Sequence, residues 1–174
     1  MNKRGQYYLI AAMIIVIILA SFLSVINYSS NKKDNSINEI QRELNIEIEK
    51  ILEYAAYADL SDAESLTVFD NMSSNYIDKF PEKTLIFVYG NPESTIKTKG
   101  YNSREEIIYF NPGSEFKILK SGVGEFNQTY SLSEKNATIR IEDFDYSFEF
   151  QKGQGFYYLI SNKDGGENNL IRGW

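Results

Sequence analysis

Apolar and polar positions follow three rhythms along this chain, and each predicts a different kind of element. From Tyr7 to Ile26 there are 20 residues with no charge, no Pro and no Gly. At about 1.5 Å per residue a helix of that length spans roughly 30 Å, the thickness of a bilayer's hydrocarbon core. Leu, Ile, Val and Phe fill most of the run, and each favours insertion by roughly 0.3–0.6 kcal/mol near the helix centre. Tyr7, Tyr8 and Tyr28 fall near its ends, where amphipathic rings prefer the headgroup layer. A soluble helix rarely stays apolar on every face for so long, so a buried core helix accounts for the run poorly. A cleaved secretory signal also fits poorly, because the run exceeds a usual hydrophobic region and no A-x-A-like site follows it. The pattern predicts a retained transmembrane helix over residues 6–28.

The second rhythm has steps of three and four. After a polar connector, Asn27–Ser36, the residues Ile37, Ile40, Leu44, Ile48, Ile51, Leu52 and Ala55 fall on one face, with Glu39, Arg42, Glu43, Glu49 and Glu53 on the rest. This predicts an amphipathic helix from Ile37 to Ala58. Its apolar face suits the domain's own sheet or a seam against neighbouring subunits. Ser61-Asp62-Ala63-Glu64 matches a capping box. It predicts a second helix through about Phe80, with Leu66, Phe69, Met72, Tyr76, Ile77 and Phe80 inside and Pro81 ending it.

The third rhythm is strand-like. Leu85–Tyr89 is a short all-apolar run that predicts a central strand ended by Gly90-Asn91-Pro92. Glu106–Phe110 and Phe116–Lys120 follow it. Strict alternation then appears at Phe126, Gln128, Tyr130 and Leu132, at Ile139 and Ile141, and at Tyr146, Phe148 and Phe150. Such alternation predicts antiparallel sheets with one buried face. Phe156–Ser161 reads as a last strand, and Asn162–Asn169 as a polar turn or frayed segment. The expected fold class is α+β: a transmembrane helix, amphipathic helices, then an antiparallel β-rich domain. The expected divisions are 1–5, 6–28, 29–60 and 61–174.

Composition narrows the chemistry. With the anchor set aside, there is room for one domain of roughly 110–140 residues. The formal charge of −6 argues against nucleic acid or an anionic lipid surface as the main partner. Cys and His are both absent. There is then no disulfide, no thiol nucleophile, no Ser-His-Asp triad and no His-based metal site. A catalyst would have to be built from carboxylates, Lys or Tyr, and the expectation is that the chain is not an enzyme. Gly122-Val123-Gly124 and Gly153-Gln154-Gly155 read as turns, since neither has the third Gly of a phosphate loop. Glu142-Asp143-Phe144-Asp145 lacks the spaced ligands and turn Gly of a calcium loop and reads as a solvated turn. No metal and no cofactor is expected. N-x-S/T sequons occur at Asn27, Asn71, Asn127 and Asn136. Asn27 lies too near the anchor, which leaves Asn71, Asn127 and Asn136 as candidate N-glycosylation sites.

One motif ties these readings to a function. Lys3-Arg4-Gly5-Gln6, set directly against the apolar run, resembles the class III signal peptide of archaeal type IV pilin-like proteins. The resemblance covers about the first 25 residues. It implies that Lys3 and Arg4 are the basic pair, that a membrane-embedded prepilin-type peptidase cuts after Gly5, and that Gln6 becomes the first mature residue. It also implies that the apolar helix stays as the anchor. Many bacterial type IV pilins carry a Glu at the fifth mature position, which here is Ile10. Many archaeal members also lack it, so the likeness holds while assembly by that charge pairing does not. Lys32, Lys33 and Arg42 nearly balance Lys3 and Arg4 across the membrane. The short stub and the resemblance therefore set the orientation: a single-pass membrane protein, N-terminus cytoplasmic before processing, C-terminal domain extracellular. The expected partners are membrane lipid along Tyr7–Ile26, the peptidase, and other pilin-like subunits. The expected function is a pilin-like cell-surface protein, a candidate subunit of a type IV pilus-like filament. The alternative is a monomeric bitopic surface protein whose outer domain binds a partner.

Overall fold

Ser61 caps the helix that the capping box predicts. Its hydroxyl accepts from the Glu64 backbone N–H, and the Glu64 carboxylate accepts in return from the Ser61 backbone N–H at 2.9 Å. Two of the helix's orphan donors are thereby satisfied. Helix α2, Asp62–Lys79, follows and ends at the cap residue Phe80, just before Pro81. The computed structural model describes residues 37–93, 95–132, 135–150, 155–164 and 167–173. The Lys3–Gln6 motif, the apolar run Tyr7–Ile26 and the Asn27 sequon lie outside the described residues, as do Gly153 and Gln154. Among the described residues no helix is long and apolar enough to cross a membrane. The chain divides into two packing units, Met1–Ile40 and Gln41–Trp174. In the first, residues 37–40 begin helix α1, which runs over 37–57.

The second unit is α+β with two antiparallel sheets. Its strands are β1 (Thr84–Asn91), β2 (Thr95–Asn102), β3 (Ile107–Asn111), β4 (Lys117–Ser121), β5 (Gly124–Tyr130), β6 (Asn136–Ile141), β7 (Phe144–Glu149), β8 (Gly155–Asp164) and β9 (Glu167–Gly173). One sheet has the order β5-β2-β1-β8-β9 and the other β4-β3-β6-β7. Every strand pair is antiparallel.

Period-two alternation explains the layering. On β1 the side chains of Ile86 and Val88 face the second sheet. They join Ile96, Phe126 and Leu159 against Ile108, Phe110, Leu119, Ile139 and Phe148. The opposite face of β1 carries Leu85, Phe87 and Tyr89, also fully buried. Phe69 of α2 packs there in tilted contact with Tyr89 and Phe156, at ring centroids of 5.8 and 4.8 Å. Asn45 of α1 accepts from the Tyr158 hydroxyl at 2.5 Å on the same face. The layers are helices, five-stranded sheet, four-stranded sheet. A strand buried on both faces reads as a continuous apolar run, and Leu85–Tyr89 does.

Two stretches differ from the sequence expectation. No pattern in the sequence marks Thr95–Asn102, yet it is β2, an inner strand of the larger sheet between β5 and β1. Its inward positions are Ile96, Thr98, Gly100 and Asn102, only one of which is a large apolar residue, so alternation has no signal. Asn162–Asn169 reads from the sequence as a polar turn or frayed segment. Instead β8 continues to Asp164 and pairs with β9, Asn162 opposite Asn169 and Lys163 opposite Asn168. Backbone pairing carries that extension, which polarity does not reveal. The Gly122-Val123-Gly124 turn does join β4 to β5, with φ of +69° at Gly122 and +130° at Gly124, a region open to Gly.

Candidate functional site

Polar chemistry in the described domain concentrates on the helix-covered side of the larger sheet. Lys97 and Lys99 are two apart on β2, so both point to that face. There they meet Asp70 of α2. Lys97 Nζ is 2.5 Å from Asp70 Oδ1, and Lys99 Nζ is 3.2 Å from Asp70 Oδ2. The Tyr89 hydroxyl donates to the same carboxylate at 2.9 Å, and Lys99 also donates to the Ser74 hydroxyl at 2.6 Å. The side chains of Lys99, Lys97 and Asp70 are 12%, 24% and 29% exposed. Desolvation works against the Asp70 carboxylate, but the hydrogen bonds from Lys97, Tyr89 and Lys99 outweigh it and hold its pKa below the ordinary value. Burial, and then the bond to Asp70, push the Tyr89 phenol upward. Ser74 beside Lys99 invites comparison with a Ser–Lys nucleophile pair. The Ser74 hydroxyl donates to the Asp70 backbone carbonyl at 3.0 Å, and Lys99 donates both to that carbonyl and to Ser74, so the hydroxyl proton is directed away from the Lys99 amine. Ser74 sits within α2, away from the free N–H groups of a helix start that could stabilise an oxyanion. The cluster clamps α2 to β2.

A depressed folded pKa contributes stability that is present above the unfolded pKa, about 4, and is lost as pH falls through the folded value. Asp70→Asn therefore destabilises by about 1–3 kcal/mol at neutral pH, between an exposed and a buried pair. The gap to the unsubstituted chain narrows below about pH 4. Urea midpoints measured from pH 7 to pH 2 check this; a gap that stays constant to pH 2 would remove Asp70 as the titrating clamp.

Between α1 and α2 lies an open groove of about 550 Å³ lined by Glu43, Ile46, Glu47, Lys50, Tyr76 and Lys79 among others. Its charges are partly matched internally, with Lys79 on Glu43 at 3.0 Å and the Tyr76 hydroxyl on Glu47 at 2.9 Å. Ile46, Tyr54 and Tyr57 recur on α1 at steps of eight and three and are exposed, Tyr57 to 92%. On the far side of the molecule Arg140 forms a bidentate pair with Asp145 and lies 4.0 Å above the Phe116 ring. Of the expected turn Glu142–Asp145, only Glu142 and Asp143 turn, and Phe144 and Asp145 begin β7. Among the described residues no group of three or more His, Cys, Asp or Glu converges as a metal site.

The sequons fall in three different settings. Asn71 is exposed within α2, Asn127 is exposed on edge strand β5, and Asn136 is exposed at the first position of β6. The Asp70 cluster was not visible in the sequence. Two Lys at i and i+2 in a strand are a cue that they share a face, but nothing marks Asp70, 27 residues away from Lys97, as their partner. No known family model, curated protein or solved structure matches the chain.

Proposed function

We propose that this chain is a pilin-like, membrane-anchored cell-surface protein and a subunit of a type IV pilus-like filament. The observation that carries the reading is the order of the first 26 residues: Lys3-Arg4-Gly5-Gln6 directly against the uncharged run Tyr7–Ile26. A peptidase that cuts after Gly5 would leave Gln6, followed directly by that run, as the N-terminus of the mature chain. Two features of the described domain support the reading. Its clustered polar groups are engaged in clamping helices to the sheet, which suits a structural task. The exposed line Ile46, Tyr54 and Tyr57 on α1 offers an apolar stripe suited to contact with a neighbour. The acidic composition suits an exterior surface and not nucleic acid.

The reading separates from the bitopic alternative in sheared supernatants of piliated cells. A filament subunit is recovered in the sheared filament fraction. Ile15→Asp places an unpaired charge mid-anchor, at a cost on the order of 2.5–3.5 kcal/mol, and removes the protein from both membrane and filament fractions. The milder Ile17→Ser leaves membrane retention intact. Full membrane retention with nothing in the filament fraction of piliated cells would make the chain a simple surface anchor.

A further inference from the structure

The three sequons within the described residues are not equivalent once the chain has folded. Resting on the reading that the domain lies outside the cell, we propose that Asn127 is an N-glycan acceptor and that Asn71 and Asn136 are not. A transferase must reach the Asn amide and the hydroxyl two residues on, along one accessible stretch of backbone. Asn71 itself is exposed, but Asn71-Met72-Ser73 fails at the hydroxyl and at the backbone. It lies inside α2, Met72 is buried, and the fully buried Ser73 hydroxyl donates to the Phe69 carbonyl at 2.8 Å. Asn136-Ala137-Thr138 lies on an inner strand of its sheet, where Thr138 is paired with Asn111 of β3 and Ser147 of β7. Ala137 is buried, and the Thr138 hydroxyl is 3.0 Å from that of Ser147.

Asn127-Gln128-Thr129 differs at each point. It belongs to β5, the edge strand of the larger sheet, so one side of its backbone has no neighbouring strand in that sheet. Asn127 and Thr129 are both exposed and share a face, pairing in register with Lys99 and Lys97. That is the face the helices cover over β1 and β8, but at β5 it is open. Gln128 between them turns inward and donates to the Leu119 carbonyl at 3.0 Å, which fixes the outward aim of its two neighbours. The co-substrate is an oligosaccharide linked to a lipid phosphate. Asn127 Nδ2 forms a bond to the anomeric carbon while the bond from that carbon to the phosphate oxygen breaks. The lipid phosphate leaves with the electron pair, and one amide proton passes to a base of the transferase.

Trypsin separates the three sites, because they fall in peptides 51–79, 121–135 and 136–140. Mass spectrometry of the native protein, with membrane-impermeant amine labelling of intact cells run in parallel, tests the inference. Peptide 121–135 should carry added hexose or hexosamine mass, and peptides 51–79 and 136–140 should be bare. Thr129→Val should return 121–135 to its bare mass, while Thr129→Ser and Asn71→Gln should leave the sugar in place. A domain labelled from outside with a bare 121–135 peptide, or with sugar on Asn71 or Asn136, overturns the glycan site alone. A domain not labelled from outside overturns the surface reading, and the glycan site with it.

Discussion

Phe110→Ala lowers the stability of the β-rich domain by about 3–5 kcal/mol, the range for emptying a well-packed aromatic site. Phe110 is fully buried between the two sheets, and its ring centroid is 4.8 Å from that of Tyr130. It lies on β3, which pairs with β4 on one side and β6 on the other. The cavity therefore opens where backbone ladders on both sides resist collapse, and the cost sits at the upper part of the range. The fitting control is Phe116→Ala. Phe116 is 37% exposed, and its contact is with the Arg140 guanidinium, so its loss costs about 1 kcal/mol or less. Urea denaturation of residues 35–174, followed by circular dichroism, distinguishes the two. Equal midpoints for both variants would mean that the sheet-to-sheet core is not where the domain's stability resides.

Gly100→Ala is expected to cost about 3 kcal/mol or more, although it adds a single methyl group. Gly100 lies on β2 opposite Ile86 of β1 and Phe126 of β5. A Cβ there would stand 2.2 Å from the Leu85 carbonyl oxygen and 2.5 Å from Phe126 Cζ. The Phe126 ring tip could swing away, but the Leu85 carbonyl belongs to the central strand and cannot move without parting β1 from β2. Overpacking in a core usually costs about 1–3 kcal/mol, and a clash with backbone on a central ladder lies at or beyond the top of that range. Combining the substitution with Phe126→Leu isolates the backbone part. If the double variant regains full stability, the ring and not the Leu85 carbonyl was the obstacle.

Gly100 also shows why β2 escaped the sequence. The sheet needs a residue there without a side chain, a Thr at 98 and an Asn at 102. Asn102 is buried because its amide donates to the Glu106 and Gly122 carbonyls at 2.8 and 3.2 Å. Each of these choices is dictated by a tertiary neighbour, and each erases the apolar alternation that would have announced a strand. Elements whose cause is local were legible. The Ser61–Glu64 box, the stop at Pro81, the Gly122–Gly124 turn and the doubly buried run Leu85–Tyr89 all stand as expected. The α1 face is buried at Ile37, Ile40, Leu44 and Ile48, whereas Ile51, Leu52 and Ala55 are only half-buried. Asp70 follows the same logic as β2: its partners come from a strand the sequence did not reveal, so the cluster could not be assembled from spacing alone.

Processing as a pilin-like subunit, as proposed, leaves its mark at the N-terminus of the mature native protein. Mass spectrometry of that terminus should find Gln6 as the first residue, with Lys3 and Arg4 removed, and Gly5→Val should leave the leader attached. A mature protein that still carries the intact Met1–Gly5 stub would rule out that processing.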